Sequence, residues 1–260
     1  MSEVELSWEQ DEIAVMTLNR PESLNSMNRD LVAGLGAVLS ELEDEGRARV
    51  VVLTGAGRGF SSGHDLSELE SEAEAADLND LMVNQQAFSD LIIRIKELRV
   101  PVIAAVNGPA AGGGLAMALA ADTRVCDASA RFNAAFVRLG ISGCDVGVSY
   151  LLPRTVGPTL AFEMMLTGRL IDAEEALHSG LVLRVVPEGE VLAAALEIAE
   201  AILANARFGV QMTKEVMWPN LDAPDLRSAI ITEDRTQTMC LMGEDARRAI
   251  PAMLASRSSR

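Results

Sequence analysis

Two glycine-rich turns, at residues 59–66 and 107–115, constrain what this chain can fold into more than any other feature. Each turn follows a short apolar run, at residues 50–53 and 102–106, and each precedes a helix-like pattern. Such a run bounded by glycine is typical of a buried strand. The start of a helix leaves backbone N–H groups without partners inside the helix. Two turns of this kind therefore predict a pair of N–H donors that converge on one oxygen atom, the arrangement called an oxyanion hole.

Composition and charge exclude several classes of function. The chain has 260 residues, of which 49% are hydrophobic and 23% charged, and this is typical of a globular protein. The formal net charge of −16 and the aromatic content of 3% disfavour nucleic-acid binding. The sequence has neither an apolar run long enough to cross a bilayer nor a secretory signal, so we expect a cytoplasmic protein without membrane insertion. The three cysteines lack metal-type spacing, which predicts free thiols and no metal site.

The order of patterns along the chain predicts an α/β protein. Alternating apolar residues over 4–18 indicate a β-hairpin, and Asn28 can cap a helix that ends near Gly46. The acidic, alanine-rich stretch 67–80 is predicted to be a surface loop, and a long helix is predicted from about residue 81 to residue 98. Strands that alternate with helices favour a mostly parallel sheet.

The last third of the chain has a different pattern. After about residue 157 it is almost wholly helical, apart from an apolar run at 181–186. We therefore expect a core over residues 1–200 and a helical C-terminal region over residues 201–260.

Seven motifs, in order along the chain, carry a family resemblance. They include Phe-Ser-Ser-Gly-His-Asp-Leu at 60–66 and Ala-Gly-Gly-Gly at 111–114. The others lie at residues 18–28, 101–108, 151–157, 166–169 and 174–182. Together they resemble the enoyl-CoA hydratase/isomerase (crotonase) superfamily, and the match runs in register from near residue 13 to about residue 215. One motif alone would be weak evidence for a family, whereas seven motifs in register are specific for a fold and a superfamily.

The resemblance implies a fold and a class of ligand. The implied fold is an α/β, crotonase-type spiral of ββα units with a helical C-terminal trimerisation region. A homotrimer or a hexamer (a dimer of trimers) is therefore expected. The implied substrate is an acyl-CoA thioester, so coenzyme A enters as part of the substrate and no separate cofactor is expected. The resemblance further implies a lyase or an isomerase that acts in fatty-acid or related acyl-CoA catabolism.

The resemblance also assigns site residues. The two oxyanion donors would be the backbone N–H groups of His64 and Gly113. The residues expected to bind substrate lie along both turns and at one aromatic position: Ser62, Gly63, Asp65, Leu66, Gly112 and Phe136. Asp65 could equally be a solvated loop residue, and Arg20 is a candidate for either phosphate binding or structural pairing.

The sequence departs from the ordinary hydratases of this superfamily at two positions. Those hydratases use two glutamates, and the corresponding residues here are Ala116 and Phe136. Neither side chain can accept or deliver a proton, so ordinary two-glutamate hydration is not expected.

One acid, Asp145, lies in the turn where dienoyl-CoA isomerases and 4-chlorobenzoyl-CoA dehalogenase carry an aspartate, although this chain is one residue longer there. The dehalogenase also has an aromatic residue at the Phe136 position, but its supporting base is a histidine, and this chain has only His64 and His178. Asp145 could be a general acid and base, or it could cap the following helix, and both roles stay open. We predict isomerase-like proton transfer by Asp145, with a non-catalytic acyl-CoA-binding protein as the alternative.

Overall fold

A computed structural model describes residues 2–75 and 77–258 and shows a mixed α/β fold, as predicted. The strands of the described part are β1 (Val4–Glu9), β2 (Ile13–Leu18), β3 (Val50–Gly55), β4 (Val102–Val106), β5 (Pro109–Ala111), β6 (Thr123–Asp127), β7 (Arg131–Asn133), β8 (Ile171–Asp172) and β9 (Arg184–Val186). Six of them form a sheet in the order β1-β2-β3-β4-β6-β9, and the other three form a smaller sheet in the order β5-β7-β8.

The helices fall into two sets. The first set alternates with the strands and contains α1 (Arg29–Glu45), α2 (Leu66–Ala75), α3 (Leu78–Glu97), α4 (Gly113–Ala120), α5 (Val148–Val156), α6 (Pro158–Thr167), α7 (Ala173–His178) and α8 (Val191–Leu203). The second set closes the described chain and contains α9 (Arg207–Leu221), α10 (Leu226–Met242) and α11 (Glu244–Ser258). Within the described residues, no helix is both long and apolar enough to span a membrane.

The main sheet is buried on both faces. β1 and β2 form the predicted antiparallel hairpin, and each later neighbour in the sheet is parallel, as expected from the alternation of strands and helices. Successive side chains of β3 point to opposite faces. Val51 and Leu53 join the larger core, whereas Val50 and Val52 pack in a second cluster with Val191 of α8. The continuous apolar runs of the central strands follow from this double burial.

Helix α1 begins and ends where its sequence predicts. The side chain of Asn28 accepts the N–H of Leu31 at 2.8 Å, and Gly46 ends the helix in the left-handed conformation at φ +59°. An L side chain at such a C-terminal position would be strained, whereas glycine is not. The Asn28 cap and the Gly46 stop are thereby confirmed.

The predicted surface loop at 67–80 is wrong for the described part of that stretch. Residues 66–75 form α2 and α3 already begins at Leu78, while residue 76 lies outside the described residues. Alanine and glutamate are strong helix formers, so an acidic, alanine-rich composition favours a helix where a cap is present. Asp77 supplies that cap for α3, because its carboxylate accepts the N–H of Asn79 at 2.7 Å.

The smaller sheet holds the second glycine-rich turn in place, and the sequence patterns did not predict it. β5 comes directly before Gly112, and the N–H of Gly112 donates to the carbonyl oxygen of Asn133 at 3.0 Å. β7 in turn pairs antiparallel with the two-residue strand β8. Strands of two or three residues carry too little alternation to be recognised from sequence.

A partly buried ion pair joins α9 to the segments that precede β4 and β6. The ammonium of Lys214 lies 2.8 Å from the carboxylate of Asp122 and donates to the carbonyl oxygen of Val100 at 2.9 Å. The indole N–H of Trp218 donates to the same carboxylate at 2.8 Å. By contrast, α10 contains no buried residue. The predicted boundary at residue 200 and the trimerising role of the C-terminal helices stay predictions.

Candidate functional site

A cleft of about 840 Å³ opens where the two glycine-rich turns meet. Its described lining combines backbone of both turns, apolar side chains of α2 and α3, and the loop before α5. These residues are Ser23, Ser26, Ser62, Gly63, His64, Leu66, Leu69, Leu78, Leu81, Met82, Gln85, Gly112, Gly113, Asn133, Ala135, Phe136, Arg138, Leu139, Ile141, Ser142, Cys144 and Asp145. All of the predicted site residues except Asp65 are among them. The structure therefore brings together residues that are far apart in the sequence.

The first turn approaches the second through Gly63. Gly63 has φ +88°, a conformation that L residues rarely adopt. A methyl group on Gly63 would lie 2.7 Å from the carbonyl oxygen of Ala111 and 3.2 Å from the nitrogen of Gly113. The two turns are also joined by a bridge in which Ala111 N–H donates to the carbonyl oxygen of Ser61 at 3.0 Å. Glycine at position 63 is therefore what permits this close approach.

The second turn begins α4. Gly112 precedes the helix at φ +52°, and Gly113 is the first helical residue. The N–H groups of the first helical turn have no acceptor within the helix. Gly114 fits closely under the first turn, because a methyl group there would lie 2.2 Å from the carbonyl oxygen of Ser61. The N–H of Gly113 thus lies at a helix start that is packed directly against Gly63.

The backbone of His64 forms one isolated bridge to Met27. This bridge uses the carbonyl oxygen of Gly63, at 2.7 Å from Met27 N, and the N–H of Asp65, at 3.0 Å from Met27 O. The N–H of His64 takes no part in it and points to the other side of this short extended segment. The imidazole stacks on the ring of Phe88, with centroids 4.5 Å apart and planes inclined by 28°. Both amides named by the sequence therefore lie outside the regular hydrogen-bond ladders and border the same cleft.

Asp145 lies in the loop before α5 and lines the same cleft as the two turns. Its Oδ1 accepts the N–H of Val146 at 2.8 Å and the side-chain amide of Gln85 at 2.5 Å. Gly147 is the N-cap residue of α5, and no side chain caps that helix. The alternative that the Asp145 side chain caps α5 is therefore not observed. Of the lining residues that the structure describes, Asp145 is the one that carries a carboxylate.

The backbone beside Asp145 is unusual. Val146 has φ +36°, and the β-branched side chain at this position is 8% exposed. Positive φ is a true outlier for a β-branched residue and costs roughly 1–3 kcal/mol. The burial of Val146 in the core holds in place the loop that brings Asp145 to the lining of the cleft.

The two positions where ordinary hydratases carry glutamate supply no proton-transfer group to the cleft. Ala116 is fully buried in the middle of α4 and does not line the cleft. Phe136 does line it, in a 3-10 turn, and its ring lies 3.5 Å from where a methyl group on Gly112 would be. Phe136 therefore forms an apolar wall beside the second turn.

The first turn contributes two further contacts to the cleft. Ser62 lines the cleft. Its hydroxyl donates to the carbonyl oxygen of Ser23 at 3.2 Å, and its N–H donates to the carbonyl oxygen of Leu24 at 2.9 Å. Leu66, the first residue of α2, is 61% exposed and contributes apolar surface. Ser62 and Leu66 both line the cleft, and their contact with substrate stays a prediction.

Asp65 does not occupy such a position, and its predicted contact with substrate is not retained. Its carboxylate lies 3.0 Å from the guanidinium of Arg20 and accepts hydrogen bonds from the hydroxyl groups of Ser26, at 2.9 Å, and Ser67, at 2.7 Å. It also accepts the N–H of Ser67 at 3.2 Å, at the start of α2. The hydrogen bonds from Ser67, then those from Ser26 and Arg20, hold the pKa of Asp65 well below its usual 3.8. Both Asp65 and Arg20 therefore have a structural role at the base of the first turn.

We expect the Asp65→Asn variant to be less stable than the wild type at pH 7, by about 1 kcal/mol, because it loses charge-assisted hydrogen bonds at a partly exposed site. A carboxyl group whose folded pKa is depressed contributes stability above its unfolded pKa, and this contribution is lost as the pH falls through the folded value. The difference between the two proteins should therefore shrink below about pH 4. Urea unfolding at pH 7, 5 and 3.5 measures it, and a constant difference over this range would contradict the assignment.

The sequence did not single out the residues of α2 and α3 that line the cleft. Leu69, Leu78, Leu81 and Met82 form an apolar side of the cleft, and Gln85 reaches Asp145. The sequence indicated only that the stretch near residues 67–85 would help to shape the pocket for the acyl chain, because the pattern did not show which of its side chains face the cleft.

Comparison with known proteins decides the family. The family model described as enoyl-CoA hydratase/isomerase matches residues 9–257. The chain belongs to this family. The probable enoyl-CoA hydratase EchA12 of Mycobacterium tuberculosis is 45% identical over 225 residues, which are 85% of this chain and 79% of that protein. The 1,2-epoxyphenylacetyl-CoA isomerase of Escherichia coli is 34% identical over 260 residues, which are 99% of this chain and 98% of that protein.

Solved structures agree with the family assignment. The crystal structure of an enoyl-CoA hydratase from Bacillus anthracis is 30% identical and superposes with a TM-score of 0.91 over 98% of this chain and 96% of that chain. The predicted crotonase-type fold is confirmed by this likeness. The chain is thus an acyl-CoA enzyme of the enoyl-CoA hydratase/isomerase family, which disfavours the alternative of a protein that only binds acyl-CoA.

Proposed function

We propose that this enzyme isomerises an enoyl-CoA by moving one proton between Cα and Cγ, with the thioester oxygen held by His64 N–H and Gly113 N–H. Asp145 is the group that removes and returns the proton. The observation that carries this proposal is that the described lining of the cleft holds one carboxylate, Asp145, together with the backbone of both turns. Isomerisation is the minimal chemistry of the family that needs one acid/base group and an oxyanion hole.

The oxyanion hole would stabilise the enolate that forms when a proton leaves Cα. Donors aimed at the developing charge typically lower the barrier by about 3–4 kcal/mol each in such sites. The close approach of the two turns, which leaves only 3.2 Å between a methyl group placed on Gly63 and the nitrogen of Gly113, supports a common target for the two amides. Backbone N–H groups at a helix start suit this role because they stay fixed while the charge develops.

One side chain is enough for both steps of the proton transfer. The Asp145 carboxylate accepts the Cα proton of a 3-enoyl-CoA, and the C–H electron pair moves into the conjugated system and onto the thioester oxygen. Protonated Asp145 then delivers the proton to Cγ, and the double bond moves from Cβ–Cγ to Cα–Cβ. No water is consumed, and the enzyme returns to its starting state.

Addition of water is disfavoured by the two positions that differ from ordinary hydratases. A hydratase must orient a water molecule and also deliver a proton, which in this family involves two carboxylates. Ala116 is buried and Phe136 presents an aromatic ring to the cleft. The isomerase named among the similar proteins supports an isomerase reaction for this chain, whereas the hydratase names leave hydration as the competing outcome.

The apolar side of the cleft would hold the acyl chain, and coenzyme A would enter only as part of the substrate. Exposed Leu66, Leu78 and Met82 offer apolar surface next to the catalytic groups. We place the reaction in fatty-acid or related acyl-CoA catabolism. The exposed helices α10 and α11 would be covered in a homotrimer, or in a hexamer of two trimers, as the family resemblance implies.

The test is incubation of the wild-type enzyme with 3-enoyl-CoA and 2-enoyl-CoA thioesters of several chain lengths in D₂O. We expect deuterium at Cα or Cγ and interconversion of the two double-bond isomers, without net addition of water. Mass spectrometry and NMR of the thioesters measure both. Stoichiometric formation of 3-hydroxyacyl-CoA, or neither deuterium exchange nor interconversion of the double-bond isomers with any chain length, would rule the proposal out.

A further inference from the structure

One face of α3 contacts both halves of the candidate site. Gln85, Phe88 and Ile92 follow each other at helical spacing of three and four residues, so they lie on the same face. Gln85 donates to Asp145, and Phe88 stacks on the ring of His64. Ile92 packs near Gly147, since a methyl group on Gly147 would lie 3.7 Å from Ile92 Cγ2. Helix α3 therefore contacts the first glycine-rich turn, Asp145 and the loop that carries Asp145.

The two hydrogen bonds to Asp145 end on the same carboxylate oxygen. Both the Val146 N–H and the Gln85 amide reach Oδ1, at 2.8 Å and 2.5 Å. Two donors of different origin, one from the loop and one from α3, fix the rotation of the carboxylate about its Cβ–Cγ bond. Oδ2 is then the oxygen that is left to exchange a proton with a ligand in the cleft.

We infer that Gln85 is a positioning residue for the reaction: its side-chain amide holds Oδ1 of Asp145 so that Oδ2 faces the substrate carbon. This inference rests on the proposed function. Gln85 does not touch the reacting atoms, and it acts by restricting the carboxylate to one orientation. Orientation of a reacting group to within a fraction of an ångström is a large part of catalysis by proximity.

The neighbouring Gln86 offers a matched control. Gln85 and Gln86 are both exposed residues of α3, but only Gln85 lines the cleft. Replacement of Gln85 by alanine should lower the deuterium-exchange rate roughly tenfold or more, as expected for loss of a hydrogen bond to a charged group, with little change in KM. Gln86→Ala should keep the wild-type rate, and both variants should keep the wild-type melting temperature because neither side chain is buried.

A second variant distinguishes positioning from a merely structural role by its pH dependence. A protonated glutamic acid at position 85 can donate to Oδ1 as the amide does, whereas an ionised one cannot and also repels the Asp145 carboxylate. The rate of Gln85→Glu relative to wild type should therefore be highest near pH 5 and fall as the pH rises. The other titratable or charged side chains in the described lining are His64, Arg138 and Cys144, and the ratio to wild type cancels their common effect.

The outcomes separate this inference from the proposed function. A wild-type exchange rate in Gln85→Ala, or a relative rate of Gln85→Glu that is independent of pH, would overturn the positioning role while isomerisation stands. If the wild type shows neither exchange nor interconversion of the isomers, the proposed function fails, and a crystal structure of Gln85→Ala still tests the inference without activity. A rotated Asp145 carboxylate in that structure supports it, and an unchanged one refutes it.

Discussion

Replacement of Asp145 by asparagine is expected to slow proton exchange at Cα and Cγ of an enoyl-CoA by about 10²- to 10⁴-fold, the range typical of a lost general acid/base. Asp145 carries the one carboxylate of the described cleft lining, so no neighbouring acid can take over. Asparagine has the same size, and its carbonyl oxygen can still accept the Val146 N–H that now lies 2.8 Å from Oδ1. The loop should therefore keep its conformation while it loses the group that binds the proton.

The Asp145→Asn substitution should slow proton exchange and leave the binding of a CoA thioester unchanged. The backbone donors of His64 and Gly113 belong to other segments, so a CoA thioester should still raise the melting temperature of Asp145→Asn as it does for the wild type. Cys144→Ala is a suitable control, because it changes the neighbouring residue in the same lining and removes no proton carrier of the proposed reaction. Exchange by Asp145→Asn at the wild-type rate would assign the proton transfer to another group and end the mechanism proposed for Asp145.

Much of the site could be predicted because its central parts depend on local chain geometry. The strand, glycine and helix order at each turn follows from short-range sequence, and burial of the intervening strands in one parallel sheet then brings the two turns to the same edge. Asp145 was named through the resemblance to family members that carry an aspartate in this turn, and the structure places it in the lining of the cleft. The order of strand, glycine and helix within each turn is specified by one segment, and the pairing of β3 with β4 follows from the alternation of strands and helices.

The parts that could not be predicted depend on contacts between segments. The sequence around Asp65 does not show whether its carboxylate faces a ligand or pairs with Arg20. Its pairing depends on where the distant segment that contains Arg20 and Ser26 lies in the fold. The rotation of α3 about its own axis, which turns Gln85 toward Asp145, is set by the packing of Phe88 and its neighbours in the core. Sequence periodicity identifies an apolar face of a helix but does not say which other elements that face meets.

The substitution Gly63→Ala tests the convergence of the two turns directly. A methyl group at this position would lie 2.7 Å from the carbonyl oxygen of Ala111 and 3.2 Å from the nitrogen of Gly113. These are backbone atoms, which cannot move aside as the end of a flexible side chain can, so the turns must separate. We expect proton exchange to fall by about 10²- to 10³-fold, as when one oxyanion donor is lost, together with a lower melting temperature.

Positive φ alone would also destabilise an alanine at this position, and a matched control removes that contribution. Gly189 has φ +85°, close to the φ +88° of Gly63, but nothing lies within 4 Å of a methyl group placed there. Gly189→Ala should therefore show only the backbone strain of a left-handed L residue, about 1–2 kcal/mol of stability, and a normal exchange rate. Equal rates and equal losses of stability in the two variants would mean that the turns do not meet around a common oxygen. A selective loss of exchange in Gly63→Ala would tie the close approach of the turns to the chemistry, because the two glycines have nearly the same positive φ and differ in what surrounds the added methyl group.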